Sequence, residues 1–164
     1  MRLEGILAPA DEAGVASVIA SAHAEGAPLA VRGNGTKEAF GRPVQAAATL
    51  TLRDLRGITL YSPTELVVAA RAGTPLAEIE ATLAARGQHL IAEPPDLSAL
   101  AGPGEGPQTL GGAIACNLSG PRRIALGAMR DHVLGVRAVN GAGEIITSGG
   151  RVLKNVTGLD LCRS

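Results

Sequence analysis

The sequence predicts an α+β protein in which helices and short strands follow one another without an internal repeat. An amphipathic stretch at residues 11–25 precedes an apolar run at residues 29–32. Strand-like segments follow at residues 49–52 and 58–61, and residues 133–147 have the turn chemistry of a β-hairpin. Because 46% of the 164 residues are hydrophobic, the chain has enough apolar side chains for a buried core.

The first helix is predicted from the spacing of its apolar side chains. They recur at the i, i+3, i+4, i+7 spacing of one helical face: Val15, Val18, Ile19 and Ala22. Asp11 is placed to cap the start of this helix, and Gly26 is placed to end it in a left-handed conformation. The apolar residues 29–32 then predict a short buried strand that leads directly into a glycine-containing loop.

The middle of the chain predicts a pair of strands and a second helix. The turn-like residues 62–65 separate the strand at residues 58–61 from the apolar run at residues 66–70. Pro75 marks a first helical turn, and this helix has three apolar residues on one face before Gly87 ends it: Leu76, Ile79 and Leu83. We place a lobe boundary near residue 57, which divides the chain into residues 1–57 and 58–164.

A long irregular segment is predicted at residues 92–108, which are rich in proline and glycine. Loops of this length inside a compact domain are usually functional or disordered. The segment ends at Gly111 and Gly112, where small residues follow and predict a tight turn into a closely packed helix.

Composition and charge exclude several function classes. Fifteen basic and fifteen acidic residues cancel, and with one Tyr, one Phe and no Trp the chain has little aromatic surface for stacking bases, so no nucleic-acid partner is expected. No apolar stretch approaches the roughly 18 residues that span a bilayer. Cys116 and Cys162 have no partner at metal-ligand spacing, so we expect no metal site, two buried free thiols and a cytoplasmic protein.

The loop after the first predicted strand is a candidate phosphate site. Gly33, Asn34 and Gly35 readily adopt positive φ, so successive backbone N–H groups can point into one concavity. Arg32 and Lys37 flank this loop, and Thr36 adds a hydroxyl. An ordinary tight turn after a strand is the alternative interpretation.

Gly111 and Gly112 form a second candidate, because unhindered N–H groups at a helix start favour an anion. The alternative is that two glycines permit tight helix packing. The fingerprints of P-loop and Rossmann proteins are absent, and so is the nucleophile motif G-x-S-x-G. The three histidines show no catalytic arrangement, so no catalytic residue is predicted.

The order of these segments resembles a known family. Residues 31–37, 94–96, 109–117, 130–136 and 154–161 are similar to successive signatures of the FAD-binding domain of the vanillyl-alcohol-oxidase-type, or FAD-linked oxidase, family. Residues 62–68, 71–76 and 118–123 more specifically resemble the FAD-binding subunit of glycolate oxidase. The resemblance spans nearly the whole chain.

The resemblance implies a two-lobed FAD-binding domain, in which a small α/β lobe and a larger lobe with an antiparallel sheet and flanking helices hold FAD between them. Residues 32–36 would wrap the diphosphate. The residues expected to contact the cofactor are Arg32, Gly33, Asn34, Gly35, Thr36, Pro94, Asp96, Gly111, Gly112, Ala115, Asn117 and Ile146. Family members with covalent flavin attach it through a His or Cys in the first loop, which this chain lacks, so non-covalent FAD is expected.

The function implied is the FAD-binding portion of a flavin-dependent oxidoreductase that oxidises glycolate or a similar small 2-hydroxy acid. A catalytic flavoprotein subunit and an iron–sulfur subunit would be its partners. Relatives continue beyond the position of Ser164 into a substrate domain, so the 164-residue chain is expected to be inactive alone. A truncated, non-catalytic flavin-binding or assembly module is one alternative, and a reductase of the same fold acting on a sugar nucleotide is another.

Overall fold

The computed structural model describes residues 3–102 and 104–150, and the signature at residues 154–161 and Cys162 lie outside these ranges. In the described residues the strands are β1 (Gly5–Leu7), β2 (Leu29–Arg32), β3 (Ala48–Thr51), β4 (Ile58–Ser62), β5 (Val67–Ala70), β6 (Gly135–Val139) and β7 (Ile145–Gly149). The helices are α1 (Glu12–Glu25), α2 (Leu76–Ala84), α3 (Ser98–Ala101), α4 (Leu110–Ala115) and α5 (Arg123–Leu126). The mixed content confirms the predicted α+β class.

The first part of the chain forms a three-stranded parallel sheet in the order β1-β3-β2. Helix α1 begins and ends where the sequence predicts: the Asp11 carboxylate accepts a 2.7 Å hydrogen bond from the Gly14 N–H, and Gly26 has a φ of 64°. Apolar side chains of α1 pack against Leu50 of β3, which is fully buried. This α1–sheet contact forms the first of two hydrophobic cores.

Strand β2 differs from its prediction in one respect. It lies at an edge of the parallel sheet, paired only with β3 among the described strands, and Val31 is 61% exposed. An apolar run alone does not distinguish a central strand from an edge strand, because that depends on which other strands pair with it. Strand β1 was not predicted, because it is only three residues long and begins with glycine.

The second core surrounds helix α2. Leu76, Ile79 and Leu83 are buried on one face, as predicted, and pack with Ala113 of α4 and with Met129. The β4-β5 hairpin also packs against this cluster through Tyr61 and Val68, among others. Strands β6 and β7 form the predicted antiparallel hairpin, in which the Asn140 side-chain oxygen accepts hydrogen bonds from the N–H groups of Ala142 and Glu144.

The segment at residues 92–108 is irregular as predicted, apart from the single-turn helix α3. Its second half lies against the loop that follows β2, where the Glu105 N–H donates to the Asn34 carbonyl. This contact brings together parts of the chain that are about 70 residues apart in sequence, as the bond from Asn34 to Pro107 shows with a separation of 73 residues.

Candidate functional site

The first glycine loop, residues 33–37, is held between the parallel sheet and the irregular segment. The Thr51 hydroxyl at the end of β3 donates a 3.0 Å hydrogen bond to the Gly33 carbonyl. From the other side, the Glu105 N–H donates to the Asn34 carbonyl at 2.7 Å, and the Asn34 side-chain amide donates to the Pro107 carbonyl at 2.7 Å. These bonds fix the loop by its carbonyl groups and by the Asn34 side chain.

The backbone N–H groups of the same loop are differently placed. Those of Asn34, Gly35, Thr36 and Lys37 donate to no acceptor in the described part of the chain. Gly35 has a φ of +70°, a conformation that L side chains rarely adopt. Successive N–H groups without an acceptor around such a residue can point into one concavity, and a concavity of this kind binds phosphate.

The backbone of the irregular segment approaches the first glycine loop closely at Gly104. A β-carbon on Gly104 would stand 2.4 Å from the Asn34 carbonyl oxygen and 2.9 Å from the Thr36 nitrogen. A cavity of about 300 Å³ opens beside these residues, and Thr36, Asp96 and Gln108 line it. The sequence prediction named Thr36 and Asp96 but missed Gln108 and Gly104, although the predicted functional role of the irregular segment pointed to their region.

The N–H groups around the second glycine pair have hydrogen-bond partners within the chain. The Leu110 N–H donates to the Thr74 carbonyl, and the Gly111 N–H donates to the Ala72 carbonyl at 2.8 Å. The Thr109 hydroxyl caps α4 and accepts a 3.4 Å hydrogen bond from the Gly112 N–H. These three N–H groups therefore have partners within the chain, and a β-carbon on Gly112 would stand 3.3 Å from the Thr109 hydroxyl oxygen and 3.8 Å from the Lys37 Nζ.

The two basic residues beside the first loop have unequal surroundings. The Arg32 guanidinium forms ion pairs with Glu38 at 3.0 Å and Glu105 at 2.6 Å. The Lys37 ammonium instead lies 3.2 Å from the Thr36 hydroxyl and 3.5 Å from the Gln108 side-chain oxygen. Burial lowers the pKa of Lys37, while the nearby Cys116 and Asp96 partly oppose that shift.

Pro94 and Asp96 belong to the same neighbourhood. The Pro94 carbonyl accepts a 3.4 Å hydrogen bond from the Gln108 side chain, and the Asp96 carboxylate accepts a 2.9 Å bond from the Ser98 N–H. Hydrogen bonds from Ser98 and the charge of Lys37 hold the pKa of Asp96 below its ordinary value. The structure therefore groups Pro94 and Asp96 with the first glycine loop.

Three other predicted residues have different local surroundings. Ala115 is the last residue of α4. Asn117 follows with a φ of 46°, and its side-chain oxygen accepts a 3.0 Å hydrogen bond from the Arg130 N–H. Ile146 lies in β7 opposite Ala138 and is half-buried. In the described ranges no hydrogen bond or ion pair joins these three residues to the first glycine loop.

Cys116 corrects one sequence expectation. Its thiol was predicted to be buried, but the residue is exposed just beyond the end of α4. An apolar, small-residue context predicts burial only if the helix that carries it is covered on all sides, and α4 is covered mainly on the face of Ala113. Among residues 3–102 and 104–150 no cluster of His, Cys, Asp and Glu is suited to hold a metal ion.

Comparisons of the chain with a family model and with curated proteins agree with one another. The model of the FAD binding domain family matches residues 3–149. The glycolate oxidase subunit GlcE of Escherichia coli (strain K12) is 49% identical over 136 residues, which are 83% of this chain and 37% of that protein. A D-lactate dehydrogenase of Archaeoglobus fulgidus is 28% identical over 95% of this chain and 33% of its own length. The chain thus spans about a third of the length of these relatives.

Solved structures agree on the fold. An alkyldihydroxyacetonephosphate synthase superposes with a TM-score of 0.69 at 22% identity, over 96% of this chain and 27% of that one. The grass pollen allergen Phl p 4, which has glucose dehydrogenase activity, superposes with a TM-score of 0.71 at 15% identity, over 90% of this chain and 29% of its own. Over the part of the chain that the structure describes, no helix is both long and apolar enough to cross a membrane.

Proposed function

Because the chain belongs to the FAD binding domain family, we propose that it is the FAD-binding portion of a flavin-dependent oxidoreductase acting on a small 2-hydroxy acid such as glycolate. Bound FAD supplies a two-electron acceptor for such an oxidation. The residues of this chain bind and orient the cofactor. The observation that carries the proposal is the set of four unpaired N–H groups in the first glycine loop, at residues 34–37.

These residues fit the diphosphate of FAD. The loop offers backbone donors, Thr36 offers a hydroxyl, and Gly104 lets the backbone of the irregular segment approach closely. A diphosphate needs several donors from one side, and here those donors are fixed by bonds to Thr51, Glu105 and Pro107. We assign Arg32 and Gly33 to the frame of this loop, and the backbone N–H groups of Asn34, Gly35 and Thr36 to its donors.

The remaining predicted contacts are kept as part of the proposal. Pro94 and Asp96 would lie beside the cofactor with the irregular segment, Gly112 would adjoin it next to Lys37, and Gly111 would hold the start of α4 against Ala72. Ala115, Asn117 and Ile146 would line its path further along. The lobe boundary near residue 57 is supported by the buried residues of the two cores, which come from residues 3–55 in the first and 76–129 in the second, although Val139 also packs against the first.

The substrate class and the partners are inferred from the relatives. The Escherichia coli protein is named a glycolate oxidase subunit, and so is a Bacillus subtilis relative, GlcD, at 26% identity. We propose that this chain likewise works with other oxidase subunits, a catalytic flavoprotein and an iron–sulfur protein. The cytoplasmic location stays a prediction, to be tested by cell fractionation.

A visible absorption spectrum of the purified protein tests the proposal. We expect the bands of oxidised flavin, released entirely into the supernatant on acid precipitation because the first loop holds no His or Cys that could form a covalent bond. Colour that stays in the pellet would contradict non-covalent binding, and the variant Cys116→Ser would show whether the exposed thiol is responsible. A colourless protein that binds no added FAD would overturn the proposal itself.

Glycolate added under anaerobic conditions separates the oxidoreductase from the alternative of a non-catalytic module. We expect the flavin to bleach when the protein is assembled with its partner subunits, and not in the 164-residue chain alone. The described residues include no recognisable arrangement that would bind the substrate carboxylate and accept its hydroxyl proton. FAD binding without bleaching in any assembly would favour the non-catalytic alternative.

A further inference from the structure

The first glycine loop is flanked by two cations, and the structure distinguishes between them. Both terminal nitrogens of Arg32 are committed to carboxylates, one to Glu38 and one to Glu105. The second carboxylate oxygen of Glu105 is in turn 2.7 Å from Arg53. The positive charge of Arg32 is therefore cancelled locally, and its side chain is only 17% exposed.

Lys37 has no such partner. Its ammonium contacts two neutral oxygens, those of Thr36 and Gln108, and none of the ion pairs among the described residues includes it. Cys116 and Asp96 act on it electrostatically, but no hydrogen bond or ion pair of the described residues joins it to either of them. A half-buried ammonium without a carboxylate is unfavourable in water-poor surroundings unless an anion accompanies it.

The Lys37 ammonium lies beside the backbone donors of the first glycine loop. Lys37 ends the run of four unpaired N–H groups, so its side chain and the backbone donors belong to one short segment. On the side of the second loop, a β-carbon on Gly112 would stand 3.8 Å from the Lys37 Nζ. Its nearest neighbour would be the Thr109 hydroxyl oxygen, at 3.3 Å. The ammonium thus lies at the junction of the two glycine loops.

We propose that Lys37 supplies the side-chain positive charge that neutralises the diphosphate of FAD, whereas Arg32 holds the loop in place through its ion pairs. This inference rests on the proposed function, since it assumes that FAD is the ligand. A compact ammonium on a flexible stem suits this role because it follows a phosphate as a point charge, while the Arg32 guanidinium is held by two carboxylates.

The test measures the FAD dissociation constant of the apoprotein as a function of salt concentration. We expect Lys37→Met to weaken FAD binding about 10- to 100-fold, the range expected for a hydrogen bond to a charged group. We also expect it to flatten the salt dependence, because one fewer cation meets the phosphates. Lys37→Arg should restore most of the affinity, since it keeps the charge.

Arg56→Met is the matched control, because it also removes one positive charge, but from a residue that is paired with Glu78 on α2. It should leave both affinity and salt dependence unchanged, and circular dichroism should show that every variant is folded. Unaltered FAD affinity and salt dependence in Lys37→Met would overturn the inference, and so would a flattened salt dependence in Arg32→Met alone. If the wild-type protein bound no FAD, the proposed function would fail, and the inference about Lys37 would fail with it.

Discussion

Gly33 and Thr109 are in direct contact: a β-carbon on Gly33 would stand 2.5 Å from the Thr109 hydroxyl oxygen and 3.2 Å from its methyl carbon. The same hydroxyl caps helix α4, and Thr109 is buried. The first glycine loop and the start of α4 are therefore packed against each other through one small residue and one capping residue.

Replacing Gly33 by alanine should disturb both loops at once. The new methyl group must displace the Thr109 hydroxyl, which weakens the cap on α4, and we expect a loss of about 1 to 3 kcal/mol in the free energy of unfolding together with weaker FAD binding. Urea unfolding and FAD titration would measure the two effects. Gly141→Ala is the control, because nothing lies within 4 Å of a β-carbon there; an equal loss in both variants would contradict the contact.

The adjacent glycines of α4 should respond differently to alanine. A β-carbon on Gly111 would stand 2.8 Å from the Ala72 β-carbon and 3.0 Å from its carbonyl oxygen, so Gly111→Ala should destabilise the fold by about 1 to 3 kcal/mol. A β-carbon on Gly112 would stand 3.3 Å from the Thr109 hydroxyl oxygen and 3.8 Å from the Lys37 Nζ, so Gly112→Ala should cost less unfolding free energy than Gly111→Ala.

FAD titration completes this comparison, since the Gly112 methyl group would occupy space next to the Lys37 ammonium. We expect Gly112→Ala to weaken FAD binding, and Gly112→Val to weaken it more strongly. The melting temperature of Gly112→Ala should stay close to that of wild type. Normal FAD affinity in both Gly112 variants would show that the second loop does not adjoin the cofactor.

The buried Thr74 hydroxyl should be important for stability. It accepts a 2.9 Å hydrogen bond from the Gly57 N–H and donates a 2.7 Å bond to the Arg71 carbonyl, in a side chain with no exposed surface. Thr74→Val keeps the shape but leaves the Gly57 N–H without a partner, which should cost about 1 to 3 kcal/mol in unfolding free energy.

Thr82→Val is the comparison for Thr74→Val. The Thr82 hydroxyl donates only to the Glu78 carbonyl, one turn earlier in the same helix, and that residue is half-buried. Its replacement should change the unfolding free energy by much less. Equal effects of the two substitutions in a chemical denaturation experiment would show that the Thr74 hydroxyl stabilises the fold no more than the Thr82 hydroxyl does.

Stability should fall at acidic pH partly through Glu12. Its hydrogen bond to Arg137 lowers the pKa of Glu12 below 4.5, so its contribution is fully present above the unfolded-state pKa and is lost as pH falls through the folded-state pKa. Because the pair is exposed on both sides, we expect less than about 1 kcal/mol. Melting temperatures of Glu12→Gln and wild type should differ at neutral pH, and the difference should shrink as the pH falls through the lowered folded-state pKa of Glu12; a difference independent of pH would contradict this ion pair as its source.

Local chemistry was sufficient to predict the elements that rest on short-range interactions. The limits of α1 follow from the Asp11 cap and the Gly26 conformation, and the β6-β7 turn follows from the Asn140 side chain. The buried face of α2 follows from its apolar spacing. Each of these features depends on atoms a few residues apart, so the sequence contains what is needed to infer them.

The candidate site depends on both kinds of information. The first glycine loop was predictable from the sequence, because the conformational freedom of its glycines is a local property. The sequence did not determine which side chains would surround that loop, since Glu105 and Gln108 reach it only when the irregular segment folds back against it.

The sequence by itself determined the α+β class, the first helix and its caps, the hairpin at the end of the described chain, and the family, because these reside in local patterns and ordered motifs. Only the tertiary structure decided that β2 is an edge strand and that Cys116 is exposed. It also decided that Arg32 is neutralised while Lys37 is not. The physical reason is that burial and charge pairing depend on residues distant in sequence, which are brought together only when the chain folds.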